Sequence, residues 1–257
     1  NKLREMSHAP VFYWVWDFMY GSTGSPQVGF PEWHLEMAKA SDLYLSGEDG
    51  IFNEYKRYGV APYYFQMDVC DGKLPIFDSG EIIYDVVFTG SCLTQGNRVA
   101  FLKEITREIP VTIFAWNPKD WEKEGFQDVH PAVYGEEYNK LISQTNIVLG
   151  MSVEPNFYGY LSNRIGKVIR AGGFLLQEYA PGMEVMLPNC IDYFSTPKEA
   201  IYKIRKYLRD KDKLNKKKDL ARKMGRHFTS EIKTKKLMTL INRYLKGEPE
   251  KWNKLPS

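Results

Sequence analysis

The stretch NIVLGMSVEPNFYGYLSNRIGKVIRAGGFLLQEY, residues 146–179, decides the fold class of this chain. It begins with one apolar run, NIVLGMS (146–152), and ends with another, GFLLQEY (173–179). Between the two runs, Ser162 is a natural N-cap for a helix over about 162–171. Apolar strands joined by a helix are typical of a parallel sheet, because parallel strands need a long crossover connection.

The same alternation continues on both sides of this unit. We expect further strands at 85–90, 111–116 and 190–195, and further helices near 97–108, 134–144 and 181–187. Thr196-Pro197-Lys198-Glu199 then combines an N-cap, a first-turn proline and a capping-box glutamate. These four residues predict the start of the first of two or three basic C-terminal helices.

The first 68 residues repeat the alternation with fewer strands. The expected strands are VFYWVWD (11–17), DLYLSG (42–47) and APYYFQMD (61–68), and the expected helices are PEWHLEMAKA (31–40) and GIFNEYKRYG (50–59). Residues 69–84 lose this periodicity and gather Gly, Pro and Asp, which is typical of a passage between domains. The sequence therefore predicts an α/β protein with two parallel sheets.

Composition excludes several classes of protein. With 43% apolar and 26% charged residues, the 257-residue chain has enough apolar material for a packed core. Its cysteines, Cys70, Cys92 and Cys190, form no CxxC pair, which argues against a zinc ribbon and against a disulfide framework. The sequence shows neither a signal-peptide pattern nor an apolar run long enough to cross a bilayer. We therefore expect a globular, cytoplasmic protein.

Basic residues are concentrated near the C-terminal end. Residues 201–246 hold 17 Lys and Arg against 4 Asp and Glu, a balance of +13 in a chain whose net charge is +3. A solvated helical face is the common explanation for such a segment. The functional alternative is weak contact with an anionic membrane surface through these helices. We expect no specific nucleic acid partner.

Two strand ends carry residues suited to an anionic ligand. Gly90-Ser91 follows the strand at 85–90 and precedes a helix carrying Arg98, although a tight turn would use the same residue types. Ser162 and Asn163 open the helix near 162–171, and Arg164 and Lys167 lie on one of its faces. A cation in the first turn of a helix is electrostatically unfavourable unless an anion lies in front of the helix. The anion could be a bound ligand; alternatively, both side chains could pair with acidic side chains or be solvated.

Other strand ends carry weaker signals. Gly172-Gly173 fits a helix C-cap with close packing as well as a close approach of the backbone to a ligand. Tyr134-Gly135 and Trp116-Asn117-Pro118 could flank a nucleotide base, or be ordinary loop ends. No cluster of metal-ligand spacing is found among the histidines.

Asp17 is the predicted catalytic base. It ends an aromatic strand and precedes a Gly/Ser-rich loop, so its carboxylate could take a proton from an acceptor hydroxyl. His8, Glu48 and Asp68 are lesser candidates near other strand or loop ends.

Four blocks over residues 84–246 resemble the C-terminal domain of the spore-maturation (CgeB-like) glycosyltransferases. They are FTGS followed by an Arg, then VYGEEYNKLISQTNIVLGMS, SNRIGKVIRAGGFLLQEYAPGMEVML and YFSTPKEAIYKIRKYL. The upstream segments WVWD, SDLYLSG and YKRYGVAPYYFQMD are similar to the later part of that family's N-terminal domain. One departure is Lys167, because many relatives carry a glutamate there, near the donor ribose or sugar.

The resemblance implies a GT-B architecture of two Rossmann-like domains, a nucleotide-sugar donor, no bound cofactor and no obligatory metal. The acceptor-side domain would span residues 1–80, the donor domain 81–246 and a tail 247–257. Gly90 and Ser91 would approach the diphosphate, Arg164 and Lys167 would neutralise it, and Gly172-Gly173 would let the backbone come close to the donor. Tyr134 and Gly135 would sit near the base.

These expectations combine into one leading hypothesis and one alternative. The leading hypothesis is a metal-independent glycosyltransferase that moves a sugar from a nucleotide diphosphate sugar, a UDP-sugar by preference, to a hydroxyl acceptor. The alternative is a catalytically silent module that binds a nucleotide or nucleotide-sugar. Only three strands precede residues 69–84, where a Rossmann-like domain ordinarily has about six. We therefore expect the N-terminal domain to be incomplete and the chain to be a piece of a longer one.

Overall fold

The computed structural model describes residues 9–15, 29–47, 49–65, 75–77, 80–93, 97–152, 156–187 and 189–248. The chain forms two compact units. Unit 1 comprises Asn1–Met67, Phe157–Tyr160 and Lys235–Ser257, and unit 2 comprises Asp68–Asn156 and Leu161–Thr234. The sequence-based domain boundaries stay predictions beside this division.

Unit 1 is built on a three-stranded parallel sheet. Its strands β1 (Phe12–Val15), β2 (Leu43–Ser46) and β3 (Pro62–Tyr64) lie in chain order, joined by helices α1 (Glu32–Ala40) and α2 (Phe52–Arg57). Leu43 and Leu45 of β2 pack with Leu240 of the last helix, Ser230–Leu245, whereas Tyr44 faces the opposite side. Alternate residues of one strand therefore serve two apolar layers.

A buried histidine links the aromatic residues on one side of this sheet. His34 of α1 is fully buried, and its two ring nitrogens lie 3.0 Å from the Tyr13 hydroxyl and 2.9 Å from the Tyr55 hydroxyl. The Tyr44 hydroxyl donates to that of Tyr55 over 2.7 Å. Burial lowers the pKa of His34 to about 4, so the imidazole is neutral and serves the packing of unit 1.

Unit 2 holds a six-stranded parallel sheet in the order β6-β5-β4-β7-β8-β9. The strands are β4 (Tyr84–Thr89), β5 (Thr112–Ala115), β6 (Val129–Pro131), β7 (Thr145–Gly150), β8 (Leu175–Glu178) and β9 (Asp192–Phe194). Every pair is parallel, and all residues of the central strand β7 are buried. In chain order this arrangement is 3-2-1-4-5-6, the Rossmann order.

Helices cover both faces of the larger sheet. They are α3 (Arg98–Thr106), α4 (Pro118–Lys123), α5 (Gly135–Ser143), α6 (Asn163–Arg170), α7 (Met183–Met186), α8 (Pro197–Arg209) and α9 (Lys211–Gly225); α10 (Ser230–Leu245) follows. Phe88 and Leu149 contribute to the apolar cluster that includes α3 and α8, whereas Val148 and Leu175 contribute to the one that includes α6. Where the structure describes the chain, the strand and helix positions predicted from sequence are confirmed, and α4 and β6 are additional.

Candidate functional site

A cleft of about 320 Å³ lies in unit 2 beyond the carboxyl ends of the strands. It is lined by Thr89, Gly90, Ser91, Phe114, Trp116, Ala132, Val133, Tyr134, Gly135, Tyr138, Asn139, Arg164 and Lys167. Successive strands run outward from β4 on one side of the sheet and from β7 on the other. The cleft is therefore at the point where the strand order reverses, which is where open α/β sheets bind ligands.

Gly90 makes room for a guanidinium group at the end of β4. A Cβ atom at this position would lie 2.5 Å from Nη2 of Arg164 and 3.1 Å from Cζ of the Phe88 ring. The backbone of Gly90 is fixed on both sides, because its N–H donates to Phe114 O and its carbonyl accepts from Trp121 Nε1, each over 3.0 Å. Any larger residue would have to displace the Arg164 side chain.

Among the described residues that line the cleft, Arg164 and Lys167 are the charged ones. Arg164 is half-buried, its Nη1 donates to Met151 O over 3.1 Å, and its guanidinium lies 4.9 Å from the centre of the Phe88 ring. Lys167 is exposed, one turn further along α6. Two cations on the described wall of the cleft contribute positive potential, which suits an anionic ligand.

The first turn of α6 strengthens this potential. Ser162 is the N-cap, but its side chain makes no capping hydrogen bond, and its buried Oγ has no partner among the described residues. Asn163 is exposed at the first helical position. Because the first-turn amides of a helix carry a partial positive charge, this end of α6 is favourable for an anion.

Aromatic side chains form the other wall of the cleft. The rings of Trp116 and Tyr134 are 79% and 60% exposed, and their centres are 6.3 Å apart. Tyr138, one turn after Tyr134 on α5, has its hydroxyl 3.5 Å from Oγ1 of Thr89, and burial raises the pKa of Tyr138. Exposed, unstacked aromatic faces beside two cations suit a ligand that joins a planar ring to an anionic group.

Arg98 lies outside the cleft lining. It is 4% exposed, and its guanidinium donates to Ser91 O over 2.9 Å and to Met151 O over 3.1 Å. Arg98 thus ties the segments that follow β4 and β7 and shares the Met151 carbonyl with Arg164. Its direct contact with a donor stays a prediction.

The two glycines after α6 are surrounded by packed side chains. Gly172 has a φ of +79°, and a Cβ atom there would lie 2.6 Å from Cγ of Arg222. At Gly173 the added atom would lie 2.4 Å from Cγ2 of Ile142. These contacts fit a helix end with close packing, and neither glycine lines the cleft. An approach of this backbone to a donor stays a prediction.

Glu178 is a buried carboxyl group that the sequence did not single out. It ends β8 and is 4% exposed. Burial raises the pKa of Glu178 to about 7, against smaller lowering effects of the Ser152 amide, the Arg98 charge and the Asn97 side chain. Its Oε2 has no hydrogen-bond partner among the described residues. The charge that acts on this carboxyl group is that of Arg98, which ties the segments after β4 and β7.

Several predicted residues lie outside the described part of the chain. They are the predicted base Asp17 and the lesser candidates His8, Glu48 and Asp68. Among the described residues, no three His, Cys, Asp or Glu side chains are grouped so that they could hold a metal ion. No helix within the described ranges is both long and apolar enough to cross a membrane.

The sequence analysis identified the charged residues and the glycines that line the cleft, but it missed several of the other lining residues. Seven residues that the sequence singled out lie there: Gly90, Ser91, Trp116, Tyr134, Gly135, Arg164 and Lys167. Phe114, Val133, Tyr138 and Asn139 were not predicted to line it. The spacing of Tyr134 and Tyr138, one helical turn apart, is the signal that would have found one of them.

Comparisons with solved structures agree with this architecture. The chain is similar to HepE of Anabaena, solved with UDP and glucose, at 14% identity and a TM-score of 0.66, covering 92% of this chain and 73% of HepE. It is also similar to sucrose-phosphate synthase of Thermosynechococcus elongatus, at 12% identity and a TM-score of 0.68, covering 96% and 70%. At such identities the likenesses show the fold alone, and they confirm the predicted α/β, GT-B class.

Sequence comparisons identify the family. No curated protein sequence matches the chain significantly. A family model described as glycosyl transferase-like matches residues 98–242, which is more than half of the chain and includes every strand of unit 2 after β4. The chain therefore belongs to the glycosyl transferase-like family.

Proposed function

We propose that this protein binds a nucleotide diphosphate sugar, preferably a UDP-sugar, and transfers its sugar to a hydroxyl acceptor. The observation that carries the proposal is the cleft at the β4/β7 switch point, whose charged lining residues within the described ranges are the two cations Arg164 and Lys167. The solved structures of HepE with UDP and with UDP-glucose support a donor of this class. The finer assignment, to the CgeB-like spore-maturation branch, rests on the sequence blocks quoted above.

The proposed donor would lie with its diphosphate before the first turn of α6. The Arg164 guanidinium has the planar fork that binds two phosphate oxygens at once, and Lys167 adds a second positive charge. Gly90 and Ser91 would bring the β4 end close to the same group. Trp116 and Tyr134 would contact the nucleobase, because their rings are exposed on the opposite wall.

Metal independence is part of the proposal. Two cations and the amides of the α6 first turn would supply the charge that a divalent ion supplies to a diphosphate elsewhere. The measurement is titration calorimetry of UDP with and without a chelator. We expect equal affinities, and a loss of affinity on chelation would overturn this part of the proposal.

Arg164→Ala provides the direct test of the donor site. Loss of a charged hydrogen-bond donor should weaken UDP binding by about 1.5 to 3 kcal/mol. Arg107→Ala, which removes an exposed arginine at the end of α3 outside the cleft lining, is the matched control and should bind as the wild type does. Unchanged affinity of the Arg164 variant, or equal losses in both variants, would contradict the assignment.

Transfer distinguishes an enzyme from a silent binding module. We propose Asp17 as the general base, with His8 or Glu48 next if Asp17 fails. Asp17→Asn should lower turnover of a UDP-sugar by about two to four orders of magnitude while the affinity for UDP is kept. Donor binding without hydrolysis or transfer in the wild-type chain would instead favour the binding module.

A further inference from the structure

Helix α8 carries a row of outward cations that the proposed donor site does not use. They are Lys198, Arg205, Lys206 and Arg209, with Tyr202 in the middle, and we call this set the α8 basic face. Spacings of three and four residues place all five on one side of the helix. They line a shallow groove of about 610 Å³ whose remaining lining residues are Ile201 and Glu108.

The opposite side of α8 anchors this face to the protein. Ala200, Ile201, Ile204 and Tyr207 are buried in the core of unit 2. Lys203 is turned inward, where it pairs with Glu199 at 2.9 Å and Asp192 at 3.3 Å. Lys203 therefore belongs to the interior side of α8, whereas the four cations of the α8 basic face point outward. Packing of the apolar side holds the helix in place.

The charge of the α8 basic face is largely unbalanced. Within the described part of the chain, Arg205 has an ion pair, with Glu108 at 2.8 Å, whereas Lys198, Lys206 and Arg209 have none. Lys206 Nζ lies 5.9 Å from the centre of the Tyr202 ring, which is 64% exposed. A row of one sign around an exposed tyrosine complements an anionic surface that offers many charges at once.

We propose that the α8 basic face docks this protein on an anionic lipid bilayer. A straight helix of 13 residues is about 20 Å long, so all four cations can reach a flat surface together. Tyrosine favours the headgroup region of a bilayer, because its ring is apolar and its hydroxyl is polar. The face has no large apolar side chain exposed beside Tyr202. Contact is therefore electrostatic and superficial, and it is weakened by salt.

A nucleic acid is the competing partner of similar charge. Proteins that bind single strands without sequence preference combine cations with several aromatic rings on which successive bases stack. The α8 basic face offers one such ring, Tyr202. The arrangement therefore favours a surface of headgroups over a strand of bases.

The experiment measures co-sedimentation of the full chain with lipid vesicles. One set contains phosphatidylcholine alone, and the other contains about 30% phosphatidylglycerol, at NaCl concentrations from about 50 to about 300 mM. We expect binding to the anionic vesicles only, decreasing as salt rises. Each cation that reaches an anionic bilayer raises partition about fivefold. The quadruple variant K198Q/R205Q/K206Q/R209Q removes four such cations, so its partition onto the anionic vesicles should fall by roughly 600-fold.

A matched variant separates the α8 basic face from net charge. K211Q/K216Q/K223Q/R226Q removes four exposed cations from α9 and its C-cap, so both quadruple variants have the same net charge. It should retain binding within a few fold, and thermal unfolding checks that both variants are folded. Three outcomes would each overturn the proposal. They are equal losses of binding in the two variants, binding to neutral vesicles, and binding of polyuridylate instead of vesicles that is lost in the α8 variant. The affinity for UDP, measured by calorimetry, does not depend on these outcomes, so this proposal and the donor-site proposal can fail separately.

Discussion

At the scale of single residues, Gly90 is the position where the absence of a side chain matters most to the cleft. We predict that Gly90→Ala weakens UDP binding by about tenfold, because the added methyl group would lie 2.5 Å from Arg164 Nη2 and displace the guanidinium. The melting temperature should fall as well, because the methyl group would also lie 3.1 Å from Cζ of the buried Phe88 ring and Gly90 has a φ of +158°.

A double-mutant cycle checks this reading of Gly90. In the background of Arg164→Ala there is no guanidinium left to displace, so Gly90→Ala should cause no further loss of affinity. Calorimetric affinities of the two single variants and the double variant provide the comparison. Additive losses would show that Gly90 acts on the ligand directly.

Glu178 gives unit 2 a stability that depends on pH. In the unfolded chain a glutamate has a pKa of about 4.3, whereas in the fold the pKa of Glu178 is about 7. Between these values the folded state binds more protons, so stability falls as pH rises and levels off above pH 7. Glu178→Gln mimics the protonated form. The free energy of unfolding of Glu178→Gln, measured relative to that of the wild type, should therefore rise by roughly 2 kcal/mol between pH 5 and pH 8.

Urea unfolding at several pH values measures this effect. Glu136→Gln removes one exposed carboxylate from the first turn of α5 and serves as the control for charge alone. The stability difference between Glu178→Gln and wild type should grow as pH rises, whereas that of the control should not follow the same course. A difference that is equal at pH 5 and pH 8 would contradict the buried-carboxyl explanation.

At the scale of elements, the start of α8 shows a sequence signal that the structure confirms. The Glu199 amide donates to Thr196 Oγ1 over 3.2 Å, and the Glu199 carboxylate accepts from the Ser195 amide over 2.8 Å. We predict that Thr196→Ala lowers the stability of unit 2 by about 1 kcal/mol. Thr234→Ala, at an exposed position of α10 that belongs to unit 2, is the control and should be neutral or stabilising. Equal effects of the two changes on urea unfolding would count against the cap.

The strands that the sequence predicted share a physical property. β4, β5, β7 and β8 are apolar runs because both faces of a parallel sheet are covered, and such runs are visible without knowledge of the fold. β6 was missed because Val129–Pro131 is short, has two exposed residues and lies at the sheet edge. Helix α4 was missed because six residues with one buried side chain, Trp121, carry too little periodicity.

The candidate site was predictable to the extent that charge and backbone freedom define it. Arg164 was identifiable because a cation in a first helical turn needs an anionic partner. Arg98 could not be separated from it by sequence, since only the fold shows its guanidinium held by two backbone carbonyls. Glu178 carries no local signal, because its raised pKa is due to burial by residues distant in the chain.

At the scale of the whole molecule, the cleft and the basic helices are distributed unevenly between the two units. The lining residues of the cleft that the structure describes belong to unit 2, and so do α8 and α9. Unit 1 takes in the second part of α10, whose Leu240 packs against Leu43 and Leu45. The basic segment that stands out in the sequence is therefore shared between two structural units.

This division predicts where a bound nucleotide stabilises the protein. A ligand that binds only the folded cleft at about 100 times its Kd raises the free energy of opening by about 2.7 kcal/mol, which slows exchange from the globally opened state about 100-fold. Hydrogen exchange followed by mass spectrometry should show this protection with UDP in peptides from β4, β7 and α6, which surround the cleft. Arg164→Ala at the same UDP concentration should show much less protection, because its affinity is lower. Protection confined to β1, β2 and β3 would place the nucleotide in unit 1 and contradict the donor site, whereas protection centred on α6 would tie the nucleotide to the helix whose first turn carries Arg164.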